Sequence, residues 1–98
     1  MRRLSFNRLA ERELAEAAGY YEKESPGLGE RFLDEARSSL LVLQRYPDAA
    51  PKVFGEIRRL TLPRFPYYLL YKTTGGDSIR VLAVAHQKRH PRYWIGRS

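Results

Sequence analysis

The hydrophobic period of the chain changes once, at a Pro- and Ala-rich loop from Pro47 to Pro51, and this change constrains the fold most. Before the loop, apolar residues recur at the spacing of amphipathic helices. After it, β-branched and aromatic residues dominate short segments that alternate in part, which is typical of strands. A helical half followed by a strand half predicts an α+β domain with a helical hairpin on one face of a small sheet.

Two helices are predicted in the first half, as an antiparallel hairpin over residues 7–46. Asn7 can cap the first, which should end near Glu24, before Ser25-Pro26-Gly27, because the residue before a proline avoids the α region. The second helix is expected to begin at Pro26, with Ser25 as its cap, and to stop at Tyr46. The two apolar stripes consist of Ala10, Leu14, Ala17, Ala18 and Tyr21, and of Gly29, Phe32, Leu33, Ala36, Leu40 and Leu43.

Four strands are predicted: Arg3–Phe6, Ile57–Leu62, Tyr67–Thr73 and Ser78–His86. Gly75-Gly76-Asp77 is a hairpin turn between the last two, since glycine adopts positive φ without steric cost. In the last strand, Ile79, Val81, Ala83 and Ala85 should share one face. The order is β-α-α-β-β-β, with a mainly antiparallel sheet in residues 54–86 and a basic C-terminal segment in residues 87–98.

Length and composition limit the classes of protein. A chain of 98 residues makes one domain, here 1–98. It has no cysteine, so disulfides and thiolate metal sites are excluded. No apolar run approaches the ~20 residues of a membrane span, and no apolar segment follows the basic start. We therefore expect a cytoplasmic protein that does not contact membranes.

Charge is distributed unevenly along the chain. The net charge is +7, but residues 1–51 carry −1 and residues 52–98 carry +8. Such asymmetry favours an anionic partner, either nucleic acid or an acidic protein segment. A basic surface that serves only solubility is the simpler alternative.

The sequence lacks the common catalytic and cofactor motifs: it has no P-loop, GxSxG, HExxH or GxGxxG. His86 and His90 lie at a strand end next to Pro91 with no carboxylate nearby, so neither a metal nor a cofactor is expected. What remains is a basic and aromatic set. It comprises Arg58, Arg59, Arg64, Tyr67, Tyr68, Lys72, Arg80, Lys88, Arg89, Arg92, Tyr93 and Trp94.

This set permits two kinds of function. Arginines hold phosphates or carboxylates, and aromatic faces stack on bases. In a metal-free RNA cleavage, His86 would take the 2′-OH proton, Arg64 or Arg89 would stabilise the charge and Tyr93 would protonate the leaving oxygen. Structural roles compete: His86 can be a hydrogen-bonding cap and Trp94 a lid on the sheet. Arg58 and Arg59 should point to opposite faces of their strand.

Several segments together resemble the RelE/ParE toxin superfamily. They are Ala17-Ala18-Gly19-Tyr20-Tyr21, Gly29 to Leu33, Arg64-Phe65-Pro66-Tyr67, and His86 to Trp94 with its pattern His-x-x-Arg-x-Pro-x-Tyr-Trp. The last two look most like the ParE-type, plasmid-stabilisation branch. The resemblance covers roughly residues 3–94.

The resemblance implies the toxin of a type II toxin–antitoxin system, which a cognate acidic antitoxin neutralises in a hetero-oligomer. A ParE-like member would inhibit DNA gyrase. A RelE-like member would instead cut mRNA on the ribosome, with His86, Arg89, Tyr93 and Arg64 as catalytic candidates. Tyr68 stands where many relatives carry an arginine, which weakens the ribonuclease interpretation. A drifted, non-toxic binding module is the third possibility.

For a toxin that acts by binding, the candidate contacts to the target or the antitoxin are basic and aromatic. They are Arg58, Arg59, Arg64, Tyr68, Lys72, Arg80, Lys88, Arg92 and Trp94.

Overall fold

The computed structural model describes residues 2–98 and contains two helices and five strands. In chain order these are β1 (Arg3–Phe6), α1 (Arg8–Glu24), α2 (Leu28–Arg45), β2 (Lys52–Phe54), β3 (Ile57–Thr61), β4 (Tyr67–Thr74) and β5 (Ser78–His86). No helix within residues 2–98 is long and apolar enough to cross a membrane.

The strands form one sheet in the order β1-β5-β4-β3-β2. All neighbours are antiparallel except β1, which runs parallel to β5 with Arg3 opposite Ser78 and Phe6 opposite Val81. Both predicted apolar stripes face this sheet, and Phe32 and Leu43 of α2 are fully buried against it. The predicted α+β class, helical hairpin and mainly antiparallel sheet are confirmed.

The start of α1 follows the sequence prediction, whereas the start of α2 does not. Asn7 Oδ1 accepts a hydrogen bond from the Leu9 amide at 2.7 Å and caps α1. Pro26 and Ser25 do not begin α2; Gly27, at a φ of 88°, precedes its first residue, Leu28. The carboxylate of Glu22, in the last turn of α1, accepts hydrogen bonds from the amides of Gly27 and Gly29 at 3.0 Å. This carboxylate takes over the role expected of Ser25, because negative charge is favourable at a helix N-terminus.

Two features of the sheet differ from the prediction. The short edge strand β2 was missed, because three residues are too few to show alternation. The prediction that four alternate residues of β5 share one face is also wrong. Ile79 and Val81 pack towards the helices, while Ala83 and Ala85 pack on the opposite side. The register shifts at this point, since Leu70 pairs with Ala83 but its neighbour Tyr71 pairs with Val81. The extra residue of this β-bulge reverses the alternation.

The face of the sheet turned away from the helices carries a second, smaller core. Leu70, Ala83 and Ala85 contribute from the sheet, and Trp94 from the C-terminal segment covers them. Trp94 is only 3% exposed. Its predicted role as a lid is confirmed. The C-terminal segment lies against this far face up to Trp94, whereas Arg97 contacts Glu13 of α1 and the Ser98 carbonyl accepts a hydrogen bond from Asn7.

Candidate functional site

A basic groove lies on the far face of the sheet, between the sheet and the C-terminal segment. Its volume is about 500 Å³. The floor is apolar, and every charged residue in the lining is an arginine. The lining consists of Val53, Phe54, Arg59, Tyr68, Leu70, Gln87, Arg89, Pro91, Arg92 and Trp94.

Each of the three groove arginines, Arg59, Arg89 and Arg92, lies over an aromatic ring. The guanidinium carbon of Arg59 is 4.5 Å from the ring centre of Tyr68. Arg89 lies 3.9 Å from that of Tyr93, and Arg92 lies 5.5 Å from that of Phe54. The negative face of an aromatic ring attracts a guanidinium at these distances. Tyr68, Tyr93 and Phe54 thereby hold positive charge around the groove.

The charge of these three arginines is not neutralised within the part of the chain that the structure describes. None of them takes part in an ion pair or donates a side-chain hydrogen bond there. A guanidinium packed on a ring still presents N–H donors at its edge, where a carboxylate or phosphate binds with two parallel bonds. The groove is therefore equipped to bind an anion.

The groove gathers four of the predicted binding residues, Arg59, Tyr68, Arg92 and Trp94. Trp94 belongs to the buried floor, so its ring offers no free face for stacking on a base. Arg58 has a structural role on the opposite side of β3, as predicted for neighbouring strand residues. Its Nη1 donates to the Ala50 carbonyl at 2.6 Å and its Nη2 lies 3.3 Å from a carboxylate oxygen of Asp48.

The other predicted contacts lie elsewhere. Lys72 and Arg80 face each other across β4 and β5 near the hairpin turn, and Arg80 Nη2 donates to the Ser98 carbonyl at 3.4 Å. Lys88 is exposed in the turn after β5. Arg64 lines a separate cavity of about 810 Å³ between α2 and the loop from β3 to β4.

The four residues proposed for RNA cleavage do not meet at one point. Arg64 lines the cavity beside α2, and its backbone amide donates to Glu35 at 2.8 Å. The His86 ring packs against Tyr67, a residue of the helix-facing core, at 5.1 Å between centroids. Its Nδ1 accepts a hydrogen bond from the Lys88 amide at 3.0 Å, as in the capping alternative. Arg89 alone of the four lines the groove.

The Tyr93 hydroxyl is engaged by a residue that the sequence analysis did not single out. It donates to Glu13 Oε2 at 2.8 Å. Burial, together with this hydrogen bond and the negative charge of Glu13, raises the pKa of Tyr93 well above its usual value. A phenol held in this way is a poorer acid than a free tyrosine, which does not suit the proton donor of the cleavage scheme.

Glu13 and Arg97 form a bidentate ion pair, with N–O distances of 2.8 and 3.1 Å. Both side chains are only 14% exposed. Glu13 is not among the candidate site residues of the sequence analysis. Glu13 is, however, three positions after Ala10 and four before Ala17, both of which are buried. A carboxylate at the margin of an apolar stripe was the available signal for a buried partner.

Residues 2–98 contain no group of three or more histidine, aspartate or glutamate side chains that could hold a metal ion.

Comparison with known proteins identifies a class of small bacterial toxins. Residues 4–91 match the family model described as the ParE toxin of the type II toxin–antitoxin system parDE. Two proteins named Toxin ParE2, from Mycobacterium tuberculosis strains CDC 1551 / Oshkosh and ATCC 25618 / H37Rv, are each 32% identical over 94 residues. Each alignment covers 92% of this chain and 86% of the relative.

A solved structure described as the chromosomal ParDE toxin–antitoxin system from P. aeruginosa has the same fold. Its TM-score is 0.76 at 21% identity, and the match covers 88% of this chain and 96% of the other. The chain is thus the toxin component of a type II toxin–antitoxin system. It belongs to the ParE toxin family.

Proposed function

We propose that the basic groove is the binding surface through which this toxin is neutralised and through which it acts. In this proposal a cognate acidic antitoxin occupies the groove in a toxin–antitoxin hetero-oligomer. When the antitoxin is absent, the toxin binds and inhibits DNA gyrase in the cytoplasm. Membership of the ParE family supports the toxin and antitoxin roles, and the groove supplies a physical basis for them.

The observation that carries the proposal is the set of three uncompensated arginines over an apolar floor. Arg59, Arg89 and Arg92 provide the only charges in the lining, and Leu70 and Trp94 lie beneath them. An acidic peptide with apolar side chains would satisfy both parts of this surface. Unstacked nucleic-acid bases are a poorer match, because arginines already cover the rings of Tyr68, Tyr93 and Phe54.

The separation of His86 and Arg64 from the groove favours inhibition by binding over RNA cleavage. A metal-free nuclease needs its proton acceptor, proton donor and charge-stabilising cation around one phosphate. An inhibitor of gyrase needs only a complementary interface. The described residues do not group in the first way and do offer an exposed basic groove, which supports inhibition by binding.

Gyrase inhibition is tested with the purified chain, purified gyrase and relaxed plasmid. We expect supercoiling to stop when the toxin is added. A triple variant with Arg59→Ala, Arg89→Ala and Arg92→Ala should lose this effect. The matched control carries Arg8→Ala, Arg12→Ala and Arg45→Ala, three exposed helix positions with the same loss of charge, and should keep it.

Pulse labelling in cells separates gyrase from the ribosome as target. After induction of the toxin alone, DNA synthesis should stall while methionine incorporation continues. An immediate fall in methionine incorporation, together with unimpaired supercoiling in the purified assay, would contradict the gyrase proposal.

Antitoxin binding is tested with the small acidic protein that we expect an adjacent reading frame to encode. Exposed ion pairs contribute roughly 0.2–1 kcal/mol each, so the groove triple variant should bind between about threefold and about 160-fold more weakly. Rising salt should weaken binding of the native toxin and should affect the groove variant less. Equal affinities and salt dependences for the groove and control variants would exclude the groove as the site.

A further inference from the structure

Glu13 lies outside the groove, yet it is connected to one of the groove arginines. Its carboxylate is largely shielded from solvent beside the edge of β5 and accepts four hydrogen bonds. Oε1 accepts from the Val84 amide at 3.0 Å and from Arg97 Nη1 at 2.8 Å. Oε2 accepts from the Tyr93 hydroxyl at 2.8 Å and from Arg97 Nη2 at 3.1 Å. The Glu13 side chain thus connects α1 to β5 and to two residues of the C-terminal segment, Tyr93 and Arg97.

The position of Glu13 follows from the shortness of β1. The pairing between β1 and β5 ends with Phe6 opposite Val81, and the Asn7 amide donates to the Val81 carbonyl at 2.8 Å. Beyond that point, side chains take the place of a neighbouring strand. Arg97 Nη1 donates to the Leu82 carbonyl at 3.1 Å, and Glu13 accepts from the Val84 amide. These bonds satisfy backbone groups that would otherwise lie open at the edge of the sheet.

Tyr93 links this cluster to the groove. Its hydroxyl is fixed by Glu13, and the Arg89 guanidinium lies 3.9 Å from the centre of its ring. A phenol that donates to a carboxylate has a more electron-rich ring, which attracts a guanidinium more strongly. The contact with Glu13 therefore sets both where the ring lies and how firmly it holds Arg89.

We propose that Glu13 is a positioning residue for the groove: through Tyr93 it holds Arg89 where an acidic partner must bind, without touching that partner itself. The effect on binding rests on the function proposed above. The effect on Arg89 rests on the geometry alone.

The positioning role can be separated from a simple effect of charge, because the two predict opposite changes in the affinity of Glu13→Gln for an acidic partner. Glu13→Gln removes a negative charge from a protein whose partner is also negative. Charge alone then predicts tighter binding of the partner. Loss of positioning predicts weaker binding, because Arg89 is no longer held in place before the partner arrives.

The experiment compares Glu13→Gln with Glu16→Gln, an exposed position one turn further along α1 that gives the same change in charge. The probe is a fluorescein-labelled peptide of alternating glutamate and leucine. An exposed cation–π contact accounts for about two- to fivefold in affinity, so Glu13→Gln should bind the peptide roughly two- to fivefold more weakly than Glu16→Gln.

Nuclear magnetic resonance provides a readout that does not depend on binding. The ring current of Tyr93 should shift the Arg89 side-chain Nε–H resonance upfield in the native protein. Glu13→Gln should reduce this shift and should speed hydrogen exchange at the Val84 amide, whereas Glu16→Gln should leave both unchanged. If Glu13→Gln does not fold, Tyr93→Phe keeps the ring, removes the bond to Glu13 and should likewise reduce the Arg89 shift.

An unmoved Arg89 resonance in Glu13→Gln or Tyr93→Phe overturns the positioning role. Binding by Glu13→Gln that equals or exceeds that of Glu16→Gln overturns it as well. If the native protein does not bind the acidic peptide, the proposed use of the groove fails, and the Arg89 resonance alone decides whether Glu13 positions it.

Discussion

Gly29 marks a close approach of the two helices, and Gly29→Ala tests how they pack. A Cβ atom at this buried position would lie 2.5 Å from the Ala18 carbonyl oxygen. It would also lie 3.0 Å from both Cβ and Oε1 of Glu22, whose carboxylate accepts the hydrogen bond from the Gly29 amide. The backbone oxygen cannot move aside, so α1 and α2 would have to separate.

Two opposing effects determine how Gly29→Ala changes the free energy of unfolding: overpacking lowers it, and the smaller backbone entropy of alanine in the unfolded chain raises it. Forcing an extra carbon into a packed site costs about 1–3 kcal/mol. Replacing glycine by alanine in a helix returns up to about 1 kcal/mol through backbone entropy. We therefore expect the free energy of unfolding to fall by up to about 2 kcal/mol, and each kcal/mol corresponds to about 4–8 °C in Tm for a domain of this size.

Gly19→Ala is the matched control, because it makes the same change on α1 where a Cβ meets no atom within 4 Å. It should raise the free energy of unfolding by about 0.5–1 kcal/mol. Urea unfolding followed by far-ultraviolet circular dichroism measures both variants. A Gly29→Ala protein as stable as Gly19→Ala would refute the close packing of the helices.

Three further predictions concern stability. Asn7→Ala should lower the free energy of unfolding by about 1 kcal/mol, because α1 loses its cap. Ser25→Ala should lower it by less, because Ser25 does not cap α2. Thermal unfolding of the two variants tests this difference. Trp94→Ala should lower the free energy of unfolding by about 3–5 kcal/mol, because it leaves a cavity in the far-face core. Unfolding followed by circular dichroism measures this loss, and a loss smaller than that of Asn7→Ala would contradict the burial of Trp94. Burial raises the pKa of Tyr21, Tyr67, Tyr71 and Tyr93 above 10. The folded protein then binds more protons than the unfolded chain above pH 10, so its free energy of unfolding should fall as the pH rises beyond that value; tyrosinate absorbance and urea unfolding against pH test this.

The parts of the fold that local chemistry determines were predictable. Asn7 caps α1, the two apolar stripes bury as their spacing requires, and the glycine-rich turn joins β4 to β5. The start of α2 was missed because its cap comes from Glu22, a side chain on another helix. The reversal of faces in β5 was missed because a bulge depends on pairing with β4.

The sequence indicated which types of residue form the candidate site, but it did not indicate how the fold arranges them. Arg59, Tyr68 and Arg92 were selected by charge and aromaticity, and the fold does bring them to one groove. Arg58 was also a candidate binding residue, and the sequence gives no sign of its backbone partners at Ala50 and Asp48. The link from Glu13 to Tyr93 joins residues from opposite ends of the sequence, and no local pattern encodes such a pair.

The parallel pairing of β1 with β5 has a consequence for the order in which the toxin assembles. The helical hairpin and the antiparallel hairpins of β3, β4 and β5 join neighbours in the sequence, whereas Arg3 must find Ser78 and Glu13 must find Arg97. Contacts between distant segments form late, since a long loop must close first. The groove lining comes entirely from residues 53–94, so its walls should form with the local hairpins, before β1 pairs with β5 and before Glu13 reaches Arg97. In the proposal made above, an antitoxin that is already present would thus find the arginines of the groove on a chain that has not finished folding.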